Sequence, residues 1–150
     1  MIARVESWEL ASVVDLAEWF YNQQNRPGKF NRDVWIHTWT KLVDSGTALI
    51  MKRTFKDRTA EAIGTVIYAD PNDGKMAAYS GFWYFNGEPK GLSGGLLYAE
   101  LERQLKERGV MRLFITSLSN QRETKVARYL THNGYQPMEV VYVKELHPCP

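Results

Sequence analysis

The chain has 150 residues, 44% apolar and 24% charged, with a formal net charge of +2 and a single cysteine. That is about one domain's worth of ordinary globular composition, with enough chain for one sizeable core. It excludes a disulfide framework, a cysteine-based zinc site, a dedicated DNA-coating surface and a membrane-spanning helix, which needs about 20 consecutive apolar residues.

No charged segment followed by an apolar one opens the sequence, so export is not expected and a cytoplasmic compartment is. No repeat, low-complexity tract or linker divides the sequence. One domain over residues 1–150 is the expectation.

Met1 to Val5 reads as a short first strand, and Ser7 as a helix N-cap. Leu10, Val13, Val14, Ala17, Phe20 and Tyr21 recur at helical spacing. Pro27-Gly28 marks a turn, Asn31 is placed to cap a second helix, and Gly46 to end it. Trp35, Trp39, Leu42 and Val43 make that helix's buried stripe.

Three strand-like runs follow, Ala48 to Met51, Ala62 to Ala69 and Met76 to Phe85. The Asp70-Pro71-Asn72-Asp73-Gly74 cluster between the last two is a strong hairpin signal, so the three predict an antiparallel meander. Lys52, Arg53, Lys56 and Arg58 read as a solvated basic face.

A glycine-bearing loop then runs from Glu88 to Gly95. Leu97, Leu101 and Leu105 carry a helix that stops at Gly109. Met111 to Ser117 is the next strand. A helix spaced from Asn120 and Glu123 runs to Gly134, and Met138 to Leu146 reads as a final strand. The strand-helix-strand unit from Met76 to Ser117 predicts a parallel pair, with a ligand at the carboxyl end of its first strand.

Lys90-Gly91-Leu92-Ser93-Gly94-Gly95 lies at that end. Unpaired amides at a helix start attract anions, and glycines let the backbone come close to one. The segment is neither a P-loop nor a dinucleotide fingerprint, since no Gly-Lys-Ser/Thr and no G-x-G-x-x-G is present. Glycines serving only tight turns are the competing reading.

Here the chain resembles the GNAT family of acetyl-CoA-dependent N-acetyltransferases. The likeness covers nearly all of the sequence by element order and is sharpest from Phe82-Trp83-Tyr84 to Lys144. The family's phosphate loop, Q/R-x-x-G-x-G/A before a Leu-rich helix, has two competing frames here, Glu88-x-x-Gly91-x-Ser93 and Pro89-x-x-Leu92-x-Gly94. Ala127 to Tyr135 looks like the family's helix-Gly-aromatic ending, and the close of the chain resembles short phage-encoded members.

The resemblance implies an α/β (α+β) fold, a mixed, mostly antiparallel central sheet with flanking helices. It implies acetyl-CoA as cosubstrate and direct attack of an amine, small-molecule or protein-borne, in a ternary complex. The pantetheine arm would lie along Phe82, Trp83, Tyr84 and Phe85. The pyrophosphate would meet Lys90, Gly91, Leu92, Ser93, Gly94 and Gly95, with Asn120 and Arg122 on the other side. Residues from Asn25 to Phe30 would shape the acceptor site.

The family's proton carriers are displaced. Met76 to Phe85 holds no Glu, Asp or His, and Leu130 stands where the family places an acidic Tyr. Tyr79, Ser80 and Tyr129 are the candidates left for proton transfer. Tyr79 and Tyr129 also read as packed aromatics. A fold kept for binding alone, as in a virion-associated or host-directed phage protein, is the rival reading, and a nucleic-acid-binding domain a weaker third. His37, His132 and His147 lack partners at metal spacing. The last strand would leave an exposed edge, because the tail from His147 looks too short for another; a homodimer is expected to cover it.

Overall fold

Alternating apolar runs in the middle of the sequence build the sheet, and amphipathic helices cover it. A computed structural model describes residues 1–24, 26–85, 93–118 and 123–147, with backbone alone at 93, 94 and 123–125. The strands are β1 (Ile2–Arg4), β2 (Ala48–Phe55), β3 (Arg58–Ala69), β4 (Met76–Phe85) and β5 (Arg112–Phe114). The helices are α1 (Val14–Gln23), α2 (Arg32–Asp44), α3 (Ser93–Glu107) and α4 (Glu123–His132), with a 3-10 helix over Ser7–Ser12 ahead of α1. The sheet order is β1-β2-β3-β4-β5, antiparallel except for the parallel β4–β5 pair.

The meander forms as its turn residues require. Lys56 and Asp57 both take positive φ, 47° and 59°, the geometry of a tight two-residue hairpin between Phe55 and Arg58. At the next turn, Asp70 Oδ1 accepts from the Asn72 backbone N–H at 2.9 Å, and the Asp70 N–H donates to Lys75 O at 2.8 Å. Asn31 caps α2, its Oδ1 accepting from Val34 N at 3.0 Å. The core joins Leu49, Met51, Ile63, Trp83, Leu97, Leu101 and Leu105, all at most 1–2% exposed.

Several sequence expectations change. Glu6 precedes the first helical turn, its N–H donating to Glu9 Oε2 at 3.0 Å, so Ser7 lies inside the turn rather than capping it. The start splits into a 3-10 turn and α1 because the apolar positions shift phase at Val13-Val14, both buried. Arg53 is buried, not part of a solvated face, because it pairs with Glu61. β5 is three residues long. Met138 to Leu146 is not a strand of this sheet: residues 138–146 are exposed and make no sheet pairing.

Candidate active site

The parallel pair is fastened at one end and parts at the other. Arg112, opening β5, donates to Asp70 Oδ2 at 3.3 Å and pairs with Asp73, tying β5 to the β3–β4 turn. The β4–β5 ladder runs Ala77↔Arg112, Ala78↔Leu113, Tyr79↔Phe114 and ends there, while β4 stays paired with β3 as far as Glu61↔Phe85. Among the described residues, β4 from Ser80 to Phe85 therefore has a strand on one side only.

A bulge marks the parting. Gly64 lies opposite Phe82 and Thr65 opposite Ser80, which leaves Gly81 as the extra residue. Both glycines are needed for room. A Cβ on Gly64 would sit 2.2 Å from the Phe82 ring, and one on Gly81 2.7 Å from Trp39. Two side chains then span the gap. Ser80 Oγ accepts from Thr116 N at 2.9 Å, and Trp83 Nε1 donates to Thr116 O at 2.7 Å. Thr116 thus finds side chains where a closed ladder would offer backbone, and these hold the strands apart.

Aromatic rings line the site. Trp83 meets Phe20 at 5.3 Å and Trp19 at 6.4 Å, both on α1, and Trp19 stands edge-on to Tyr84 at 5.0 Å. Phe82 meets Trp35 and Trp39 of α2 at 5.5 and 5.4 Å. Phe30 touches Trp35 at 6.3 Å and Tyr21 at 5.6 Å, and Tyr21 Oη donates to Pro27 O at 3.1 Å. The described part of the expected acceptor loop is thereby connected, ring by ring, to the bulge in β4.

At the other end of β4, Phe85 stacks on Tyr98 of α3 at 5.0 Å, and Tyr98 on Tyr129 of α4 at 5.1 Å. Tyr129 Oη lies 3.5 Å from Gly95 O. A Cβ on Gly95 would come within 3.4 Å of the Tyr129 ring, so this glycine makes room for a side chain of α4. Beside the stack, Arg53 Nε donates to Glu61 Oε2 at 2.8 Å, with the side chains 8% and 1% exposed. The Tyr98 hydroxyl is buried and has no hydrogen-bond partner among the described residues. Burial, with Tyr129 and the Glu61 carboxylate adding, pushes the Tyr98 phenol well above its ordinary value. Burial, then Glu102, raises Tyr129 too. Both phenols keep their protons at neutral pH.

The sequence-predicted residues separate as follows. Phe82 to Phe85 lie on the half of β4 that faces the gap. Ser80 is buried in it, but Tyr79 is 44% exposed and packs on Tyr68 at 5.8 Å. Tyr79, Ser80 and Tyr129 therefore sit in three different settings rather than one cluster. Ser93 to Gly95 belong to the first turn of α3 rather than to a loop. Lys90, Gly91, Leu92, Asn120 and Arg122 lie outside the described residues. Leu130 is buried, consistent with an apolar role at that position. Tyr98 and the Arg53–Glu61 pair were missed. Tyr98 adjoins Leu97 on the Leu-rich stripe, which was the available signal.

Ser80→Ala removes the acceptor for Thr116 N inside the gap. Thr116 is exposed and water can reach its N–H, so the loss should be that of an ordinary hydrogen bond, about 0.5–1.5 kcal/mol, and the urea midpoint should fall with the slope unchanged. An unchanged midpoint would mean that Thr116 takes another partner.

No protein-family model matches the sequence, and no curated protein does. Solved structures do. A ribosomal-protein-alanine N-acetyltransferase from Brucella melitensis biovar Abortus 2308 is similar over 97% of this chain and 99% of its own, at 13% identity and a TM-score of 0.69. An aminoglycoside acetyltransferase from an uncultured soil metagenomic sample is similar over 98% of each chain, at 10% identity and 0.75. A predicted acetyltransferase with acetyl-CoA from Clostridium acetobutylicum is similar over 96% of this chain and 95% of its own, at 10% identity and 0.75. At these identities the likeness establishes the fold, that of the GNAT acyl-CoA N-acyltransferases.

Proposed function

We propose that this chain is an acyltransferase that moves an acetyl group from acetyl-CoA to an amine. The observation that carries the reading is the parting of β4 from β5 just ahead of α3. An extended amide-bearing arm fits an unpaired strand edge, where it can hydrogen-bond as an added strand would. The helix start beyond it suits a pyrophosphate, since its first amides are unpaired and carry the positive end of the dipole. The binding set is the backbone of Phe82, Trp83, Tyr84 and Phe85, then Lys90 to Gly95, with Asn120 and Arg122 opposite.

The chemistry needs little from side chains. The amine nitrogen attacks the thioester carbonyl, the C–N bond forms, the C–S bond breaks, and the amine's proton leaves through water. A thiol pKa of about 8.5 makes the thiolate a tolerable leaving group. Ser80 keeps its own hydroxyl hydrogen for a carbonyl or thiolate, because the bond it makes to Thr116 N is an accepted one. Tyr129, held protonated, is the second donor. The acceptor is an amine reached past Phe30 and Trp35. No helix among the described residues is long and apolar enough to cross a membrane.

One observation favours a second reading. Ser80 and Trp83 already fill part of the gap with bonds to Thr116. A binding protein that kept the fold and lost transfer would look the same. Calorimetric titration with acetyl-CoA and CoA tests both readings. Micromolar binding lost in Gly91→Asp/Gly94→Asp is the expected result. No binding at millimolar ligand overturns the transferase reading and leaves the second.

A further inference from the structure

We propose that the acceptor is an aromatic monoamine, a ring carrying a single amino group, and not a polycation. This rests on the transferase reading above and names the substrate class of the same site.

The chain keeps more aromatic surface beside β4 than its core uses. Phe20, Trp39, Phe82 and Trp83 are buried and belong to the core. Five more rings are only half-buried: Trp19 and Tyr21 on α1, Phe30 and Trp35 before and on α2, and Tyr84 on β4. They form two connected groups over the same strand. Trp19 stands edge-on to Tyr84 at 5.0 Å. Trp35 meets Phe82 at 5.5 Å, Phe30 meets Trp35 at 6.3 Å, and Tyr21 meets Phe30 at 5.6 Å. The second group runs outward from the bulge at Gly81 to the segment ahead of α2. Contiguous rings that remain exposed mark a contact surface, and their faces and edges orient another ring.

Charge decides between acceptors. Each extra ammonium taken out of water needs a carboxylate. Asp15 and Glu18, the acids of α1, are both taken by Arg32, at 2.6 and 2.8 Å. Asp33 is exposed and precedes Trp35 by two residues, about 200° around the helix, so it lies on the far face of α2. β4 has no acid, and Glu61 is held by Arg53. The charges left at the outer rings are positive. Arg26 and Lys29 are exposed and make no ion pair among the described residues, and the Arg26 guanidinium already covers the Tyr21 ring at 5.7 Å. One ammonium can rest on an inner ring face until its proton leaves to water. Further cations find no counter-charge there and meet Arg26 and Lys29. The neutral amine then forms the C–N bond as the C–S bond breaks, and the thiolate departs.

Thiol release from acetyl-CoA, with calorimetry on the full chain, tests this. The kcat/KM for 2-phenylethylamine and tryptamine should exceed that for spermidine and kanamycin at least about tenfold, the discrimination an apolar pocket supplies. 2-Cyclohexylethylamine, which lacks the π face, should be used several-fold less well than 2-phenylethylamine. Phe30→Ala should raise the KM for 2-phenylethylamine about tenfold and leave acetyl-CoA affinity unchanged, and Phe30→Trp should keep the wild-type KM. Turnover that favours the polycations or the saturated amine overturns the proposal and leaves the transferase reading standing. A KM indifferent to Phe30→Ala overturns it as well. Calorimetric binding of 2-phenylethylamine without transfer supports the aromatic site and removes the transferase reading. Neither binding nor turnover of 2-phenylethylamine at millimolar concentration, with or without CoA, overturns the proposal.

Discussion

Trp83→Ala should destabilise the fold by about 3–5 kcal/mol, the range for deleting a fully buried large aromatic. On a chain of this size that is a fall in melting temperature of roughly 6–20 °C. Three losses coincide. The ring is 1% exposed and packs on Phe20, Trp19 and Phe85, at 5.3, 6.4 and 5.9 Å. Its N–H holds Thr116 O at 2.7 Å, and that carbonyl has no β4 backbone rung to return to because the ladder ended at Phe114. The cavity would open between β4, β5 and α1, where neighbours are fixed by other rings and collapse poorly. Trp83→Phe separates these terms. It keeps most of the packing and loses only the donor to the carbonyl of the exposed Thr116, so it should cost about 0.5–1.5 kcal/mol. Equal losses in the two variants would show that the bridge to Thr116, not the packing, dominates. Losses under about 1 kcal/mol in both would remove Trp83 as the spacer between the strands.

The sequence carried the parts of the fold that depend on local pattern. Met76 to Phe85 was legible to the residue because a turn cluster precedes it and aromatics fill it. The parallel pair followed from a helix lying between two strands, and the GNAT resemblance matched the fold that the solved structures establish. What was not legible depends on contacts distant in sequence. Ser80 read as a candidate for proton transfer and Trp83 as part of the strand edge along the pantetheine arm, and nothing local could say that both would meet Thr116, 36 and 33 residues on. Arg53 sat in a run of basic residues, where a charge is usually solvated, and Glu61 eight residues away buried it. Met138 to Leu146 has every local mark of a strand, but pairing is a contact distant in sequence, and among the described residues this segment joins no strand.

Glu61→Ala should cost about 3–5 kcal/mol, because it strips a buried guanidinium of its carboxylate. Arg53 and Glu61 are 8% and 1% exposed, too dry for water to take the place of either partner. They face each other across β2 and β3, with Phe85, the last residue of β4, as the next rung, so the loss falls where the sheet meets the glycine segment. The pair need not be a net stabiliser to give this result. Taking two charges out of water costs about as much as their attraction returns, and a well-packed apolar replacement is often neutral or better. Arg53→Met/Glu61→Leu should therefore recover most of what Glu61→Ala loses, and the double-mutant cycle should report a coupling of at least about 1–3 kcal/mol. Urea denaturation of the wild type, Glu61→Ala, Arg53→Met, Glu61→Leu and the double variant reads all of this. A double variant as unstable as Glu61→Ala would place the cost in the shape of the site rather than in the orphaned charge. Recovery of stability would leave the retention of the pair to be explained by function. Burial keeps the Tyr98 phenol protonated, with Tyr129 and then the Glu61 charge adding to it.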